Sequence, residues 1–246
     1  MLSKKLKIYS IVPARSGSKG IADKNIKGLG GKPLLAWSIA ASNKSEHISR
    51  TFIDTDSREY ADIGFTYGAE VPFLRPAKYS QDSSTDYEFV NHFLDFLEKE
   101  NDLPDLLVHL RPTTPFRDPK KIDHAIEIAL TSGDEVSALR SVHEMAETAY
   151  KTMELDEEDF LHGAFTKDYD LESLNAPRQS FAKTFSANGY VDILFPKKIK
   201  ETKRLHGKKV LGFLTEQVIE IDSFFDFMIC ELMLKNKNFA KNLIWS

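Results

Sequence analysis

KIYSIVPARSGSKG, residues 7–20, decides how the chain is read: an apolar run, a proline, then a loop of glycines, serines and basic side chains. Residues 7–13 read as a buried strand and 14–32 as a long loop. A glycine-rich basic loop after a first strand suits a triphosphate. Glycines let backbone N–H groups approach the oxygens, and Arg and Lys supply charge.

Working outward, Pro33 opens PLLAWSIAAS, a helix with proline in its first turn. TFIDTD (51–56) reads as a strand, and SREYADIGFTYG as a helix closed by Gly68. Residues 70–74 fit a short strand. The helix of 84–100 carries Phe89, Val90, Phe93, Leu94 and Leu97 at helical spacing. LLVHL (106–110) is a continuous apolar run, as a parallel strand buried on both faces requires. Pro119 to Thr131 follows as a helix and EVSALRSV (135–142) as a strand. This alternation predicts a parallel, three-layer α/β fold whose ligands bind at the carboxyl ends of the strands. The loop after residue 13, Asp54, Asp56 and RPTTPFR (111–117) lie there.

The rhythm breaks at about 143–187, which is polar and aperiodic yet carries Phe160, Phe165, Tyr169, Leu171 and Phe181. Such a segment is either a disordered insertion or an arm that packs on a second subunit; its aromatic content argues against plain disorder. NGYVDILF (188–195) and KVLGFLTEQVIEID (209–222) read as strands, and about 223–237 as a last amphipathic helix. No linker or repeat interrupts the 246 residues, so one domain with an arm is expected.

Composition narrows the class. A net charge of −4 provides no global field for DNA or RNA, so an anion site must be local. The single cysteine, Cys230, excludes an internal disulfide, lies in an apolar run that reads as core, and fits a cytoplasmic location. No run approaches the ~18 apolar residues of a membrane span, and the N-terminal apolar stretch, broken by Pro13, is too short for a signal peptide.

Three motifs carry chemistry. Arg15 to Gly20, continuing to Lys24-Asn25, is neither a P-loop, since Gly31-Lys32 precedes Pro33, nor a dinucleotide fingerprint. It is a phosphate site or a solvated basic loop. Arg111-Pro112-Thr113-Thr114-Pro115-Phe116-Arg117 sets two guanidiniums and two hydroxyls at a strand's end, for carboxylate or phosphate, or else forms a surface turn. Glu220-Ile221-Asp222 places two carboxylates on one side of a strand, able to hold Mg²⁺ near a triphosphate; the alternative is that Asp222 or Ser223 caps the last helix, with Ser223 and Asp226 as a capping box. His109, inside a core strand, reads as a hydrogen-bonded core residue.

ARSGSKG with KN, FLRP (73–76), RPTTPFRDP (111–119), PRQ (177–179), NG (188–189) and EID (220–222), in this order, resemble the CMP-N-acylneuraminate synthetases, or acylneuraminate cytidylyltransferases. The resemblance runs from about residue 8 to 226. It implies a Rossmann-like α/β nucleotidyltransferase fold with a mainly parallel sheet, and a homodimer whose arm helps close the partner's sugar pocket. It also implies that CTP and an acidic 2-keto sugar give CMP-sugar and pyrophosphate with Mg²⁺. By position, Arg15, Ser18, Lys19, Lys24 and Asn25 should contact the nucleotide and its phosphates. Arg75 should contact it too, with Ser84 near the cytosine. Arg15, Lys19, Lys24 and Asp222 take the catalytic roles. Arg178 and Asn188 should line the sugar side, where Arg111 is also expected, and Glu220 and Asp222 match the metal pair.

This chain departs from the family's usual pattern at Arg111 (usually Gln), Ser186 (often Arg), Asp192 (usually Tyr) and Glu220 (usually Asp). The first three fall on the sugar side and widen the acceptor to legionaminic, pseudaminic or another modified keto acid. A sibling enzyme for an eight-carbon keto-deoxy acid and a non-catalytic nucleotide-sugar-binding protein are the rival readings; Lys19, Lys24 and both acids argue against the second.

Overall fold

Strand β1 (Ile8–Pro13) is buried on both faces because helices cover both. Ile8 and Val12 join one apolar cluster with Leu35 and Ile39 of α1 (Leu34–Asn43). Tyr9 and Ile11 join another with Phe89, Phe93 and Leu97. The computed structural model that shows this describes residues 6–241 and 243–245; the first five, with two N-terminal lysines, lie outside them.

The chain divides into two compact units: 1–141, 189–213 and 218–246 form the first, and 142–188 with 214–217 the second. After β1 come a short hairpin, β2 (Gly28–Leu29) and β3 (Lys32–Pro33), then α1, β4 (Arg50–Asp54), α2 (Arg58–Thr66), α3 (Asp86–Lys99), β5 (Leu106–His109) and α4 (Pro119–Thr131). Next are β6 (Ala138–Glu144), β7 (Met153–Leu155), β8 (Leu161–Gly163), β9 (Phe185–Leu194), α5 (Pro196–Thr202), β10 (Val210–Leu214), α6 (Phe224–Lys235) and α7 (Lys237–Ala240). The main sheet runs β10-β6-β9-β5-β1-β4. β1 pairs in parallel with both β4 and β5, and β9 runs antiparallel to β5. The strand order therefore reverses at β1, and the carboxyl ends of β1, β4 and β5 open a ligand crevice there.

Local chemistry sets the helix starts. Ser57 caps α2, and Asp118, followed by Pro119, caps α4. Thr85 and Glu88 make a capping box for α3, whose five buried apolar side chains stabilise its seat by roughly 1.5–3 kcal/mol each. Gly68, at φ 88°, lets the chain leave α2.

Several expectations change. The strand expected at 209–222 stops at Leu214; beyond it the amide of Ile221 bonds the Thr113 carbonyl of a loop (2.8 Å), not a strand. Residues 70–74 form only one bridge, Phe52 to Glu70. Pro33 stands just before α1 rather than inside it. In the second unit, β7 and β8 pair antiparallel around a turn where Asp156 accepts from the amides of Glu158 and Phe160, both at 2.9 Å. Phe160, Phe165 and Tyr169 stay exposed there, while Leu174 is buried. Among the described residues, no helix is long and apolar enough to cross a membrane.

Candidate active site

The crevice above β1 is a cleft of about 260 Å³. Arg15, Ser18, Lys19, Lys24, Asn25, Arg75 and Ser84 all line it, together with Arg111. Seven side chains separated by up to 69 positions in sequence thus meet in one place.

The loop that holds them is built. Ser16 donates from its amide (2.7 Å) and its hydroxyl (2.8 Å) to Asp56, fixing the loop to the end of β4. Asn25 donates to the Arg15 carbonyl (3.0 Å). Gly20 packs on the Asp222 backbone: a Cβ there would run into the Asp222 carbonyl. Arg75 is buried, gives Nε to Asp54 (2.8 Å), and lays its guanidinium 4.2 Å from the Phe89 ring centre. Across the mouth, Asp82 takes Arg15 at 3.0 Å and Lys19 at 2.5 Å. Lys19 first, then Arg15, holds Asp82 below the usual carboxylate range. An acid thus occupies the two cations that a triphosphate would use. Sequence reading missed it because its partners lie more than 60 positions away.

Glu220 and Asp222 flank Ile221, which is fully buried between them. Burial first, and the Asp222 charge second, raise Glu220 above the usual glutamate range. Ser223 and Asp226 supply the α6 cap, so the Asp222 carboxylate is free of that duty. Lys24 reaches it at 3.2 Å and the Ile221 carbonyl at 2.8 Å. Gly189, at φ 61°, is needed because a Cβ would strike the Glu220 carboxylate. Among the described residues no cluster of three or more metal-ligand side chains exists. A repelling carboxylate pair beside a phosphate cleft does fit Mg²⁺, which takes one or two carboxylates and completes its shell with phosphate oxygens and water.

The second motif divides. Arg117 is fully buried without a carboxylate partner. It donates to the carbonyls of Tyr190 (2.5 Å), Arg111 (2.8 Å), Gly189 (2.9 Å) and Thr114 and to the Ser38 hydroxyl (2.8 Å). Burial pushes its guanidinium down to about 9. It is an internal brace, not the anion ligand expected. Arg111 faces the cleft, but its guanidinium is taken by Asp86 (2.5 Å) and Asp192 (3.0 Å). Arg111 thus lines the cleft while pairing with two acids of the chain, one of them the Asp192 that stands where the family usually has Tyr.

Asp192 is the centre of a buried cluster with His206 at 3.3 Å, Arg140 at 3.6 Å and His109 at 3.7 Å. Burial opposes its charge, but His109, His206 and Arg111 together hold it well below the usual carboxylate range. His109 is core, as expected, but neither ring nitrogen has a hydrogen bond, against expectation. Burial pushes its imidazole below the usual range. Cys230 is buried, and burial pushes its thiol up to about 12.

Arg178 and Asn188 belong to the second unit. Arg178 donates to Glu144 (2.8 Å) and to the Met145 carbonyl (2.9 Å), and Lys183 shares Glu144 (2.8 Å). Asn188 donates to the Thr215 hydroxyl (2.6 Å).

Fold and cleft define a Rossmann-like α/β protein with a cleft lined by basic side chains at a strand-order reversal. The cytidylyltransferase family model matches residues 9–217, and the chain belongs to that family. It is 32% identical over 238 residues to an N-acylneuraminate cytidylyltransferase of Escherichia coli, across 96% of this chain and 54% of that protein. The chain therefore spans about half of that relative's length. It is 29% identical over 237 residues to the CMP-N,N'-diacetyllegionaminic acid synthase of Legionella pneumophila, across 94% and 97%. A solved CMP:2-keto-3-deoxy-manno-octonic acid synthetase complexed with CTP superposes with a TM-score of 0.67 at 12% identity, over 93% of this chain and 99% of that one, a likeness of fold.

Proposed function

We propose that the chain transfers the cytidylyl group of CTP to the anomeric 2-hydroxyl of an acidic, sialic-acid-like 2-keto sugar, releasing pyrophosphate. The observation that carries the reading is the convergence of Arg15, Ser18, Lys19, Lys24, Asn25, Arg75 and Ser84 on one cleft, in a chain of the cytidylyltransferase family. Arg15 and Lys19 exchange Asp82 for the β- and γ-phosphates, and Ser84 and Arg75 hold the nucleoside end. The acceptor hydroxyl attacks the α-phosphorus in line and gives up its proton to solvent, the bond to the bridging oxygen breaks, and the electron pair leaves with pyrophosphate. Positioning and charge neutralisation supply the acceleration. Glu220 and Asp222 are the residues that would hold Mg²⁺, whose chemistry here is neutralisation of phosphate charge. Lys24 adds a positive charge beside Asp222.

Arg178 and Asn188 belong to the acceptor side in this reading. The second unit serves as a dimerisation arm, because its exposed Phe160, Phe165 and Tyr169 need a partner surface. One free, buried cysteine suits a reducing cytoplasm. Pyrophosphate release with CTP and a panel of nonulosonic acids tests the proposal; release with CTP alone, or none with any acid, counts against it.

A further inference from the structure

Three guanidiniums act electrostatically on Glu220: Arg111, Arg117 and Arg140. Two are saturated. Arg117 makes five hydrogen bonds to neutral acceptors, and Arg111 is held by Asp86 and Asp192. Arg140, projecting from β6, is different. Its side chain is 36% exposed, and its Nε lies 3.6 Å from Asp192 Oδ1, beyond hydrogen-bond distance. Both atoms are buried and neither has a hydrogen-bond partner. No other hydrogen bond or ion pair of Arg140 exists among the described residues. A guanidinium carries five donors in a rigid fork, and buried polar atoms are nearly always paired in a finished site. Here a fork about one-third exposed, with no hydrogen bond, stands at ion-pair distance from a buried carboxylate that fixes it without consuming its donors.

We infer that Arg140 binds the carboxylate of the acceptor sugar, an assignment that rests on the acidic-acceptor reading above. The chemistry fits the place. The carboxylate of a 2-keto acid is attached to the carbon that bears the attacking hydroxyl, so it must come to rest close to the metal-binding acids. Arg140 is the guanidinium near Glu220 whose donors remain open. Two parallel N–H groups match two carboxylate oxygens, which a neutral or singly donating group does not. Asp192 then acts as a positioning residue, holding Arg111 at one oxygen and Arg140 at the other.

Steady-state pyrophosphate release tests this with N-acetylneuraminic acid, or the panel acid that turns over best, and with its C1 carboxamide as competing inhibitor. Arg140→Gln should raise the acceptor KM about 10- to 150-fold, the span of one charged hydrogen bond, while the KM for CTP moves less than about twofold. The wild-type preference for carboxylate over carboxamide should collapse in Arg140→Gln. Arg140→Lys, which keeps the charge and loses the fork, should fall between and covers the case in which the glutamine variant fails to fold. An unchanged acceptor KM and carboxylate preference in both variants, or an equal loss for CTP, would overturn the inference. Wild-type enzyme that releases no pyrophosphate with any acid would instead overturn the functional reading, so the two failures are distinguishable.

Discussion

Replacing Asp192 by Asn removes one charge and almost no volume from the buried cluster beneath the cleft. The Asp192 side chain is 1% exposed, with Arg111 at 3.0 Å and His206 at 3.3 Å. Taking one partner from a buried pair costs about 3–5 kcal/mol when the other charge is left alone, an upper bound here because Asp86 still pairs with Arg111. For a chain of this size each kcal/mol lowers Tm by about 2–4 °C, so a fall of at most roughly 6–20 °C is expected. The carboxyl of Asp192 is held lower in the folded protein than the ~3.9 of an unfolded chain. Its stabilisation is therefore fully present above that value and is lost only as pH falls through the lower, folded value. Urea unfolding of wild type and Asp192→Asn at pH 7, 5 and 3 reads this directly. The gap should be the same at pH 7 and 5 and should begin to close at pH 3. The double variant with Arg111→Gln should lose less than the sum of the single losses, because the two substitutions break one interaction. A gap absent at pH 7, a gap already closed at pH 5, or simple additivity would refute the reasoning.

Asp222→Ala, with Glu220 intact, should cut turnover by about a hundredfold or more, as loss of a preorganised electrostatic group does, and leave Tm nearly unchanged, because Ser223 and Asp226 keep the helix cap; preserved turnover with a lowered Tm would remove the metal role. Sedimentation at micromolar concentration should give a dimer, and charged substitutions at the exposed Phe160 and Phe165 should weaken it; a fully active monomer would refute the arm's role.

The parts of the fold that sequence made legible share a physical cause. KIYSIVP and LLVHL are unbroken apolar runs because β1 and β5 are covered on both faces, and α3 shows its stripe because only one face is buried. The ladder of the second unit was not legible: Met153–Leu155 is exposed along its whole length, so burial imposes no alternation. The expected strand through Asp222 was too long for a similar reason, since Glu220 and Asp222 flank a buried Ile221 with strand-like spacing, but the Ile221 amide bonds the Thr113 carbonyl of a loop. In the site, the basic loop, Arg75 and Ser84 were readable from residue type and order. Their acidic counterparts were not. Asp82 and Asp86 are ordinary surface-type residues until the fold sets them against Arg15, Lys19 and Arg111. Arg117 carried the same appearance as Arg111 in RPTTPFR, and only burial separates brace from cleft-lining residue.

The central claim is tested most directly by pyrophosphate release in the presence of Mg²⁺, with CTP, ATP or GTP against N-acetylneuraminic, legionaminic, pseudaminic and eight-carbon keto-deoxy acids, and with mass analysis of the product. Release should require CTP and one of the acids together, with a CMP-sugar formed in equal amount and chelation of the metal abolishing it. Equal release with ATP, or CTP binding without product for every acid, would contradict the assignment.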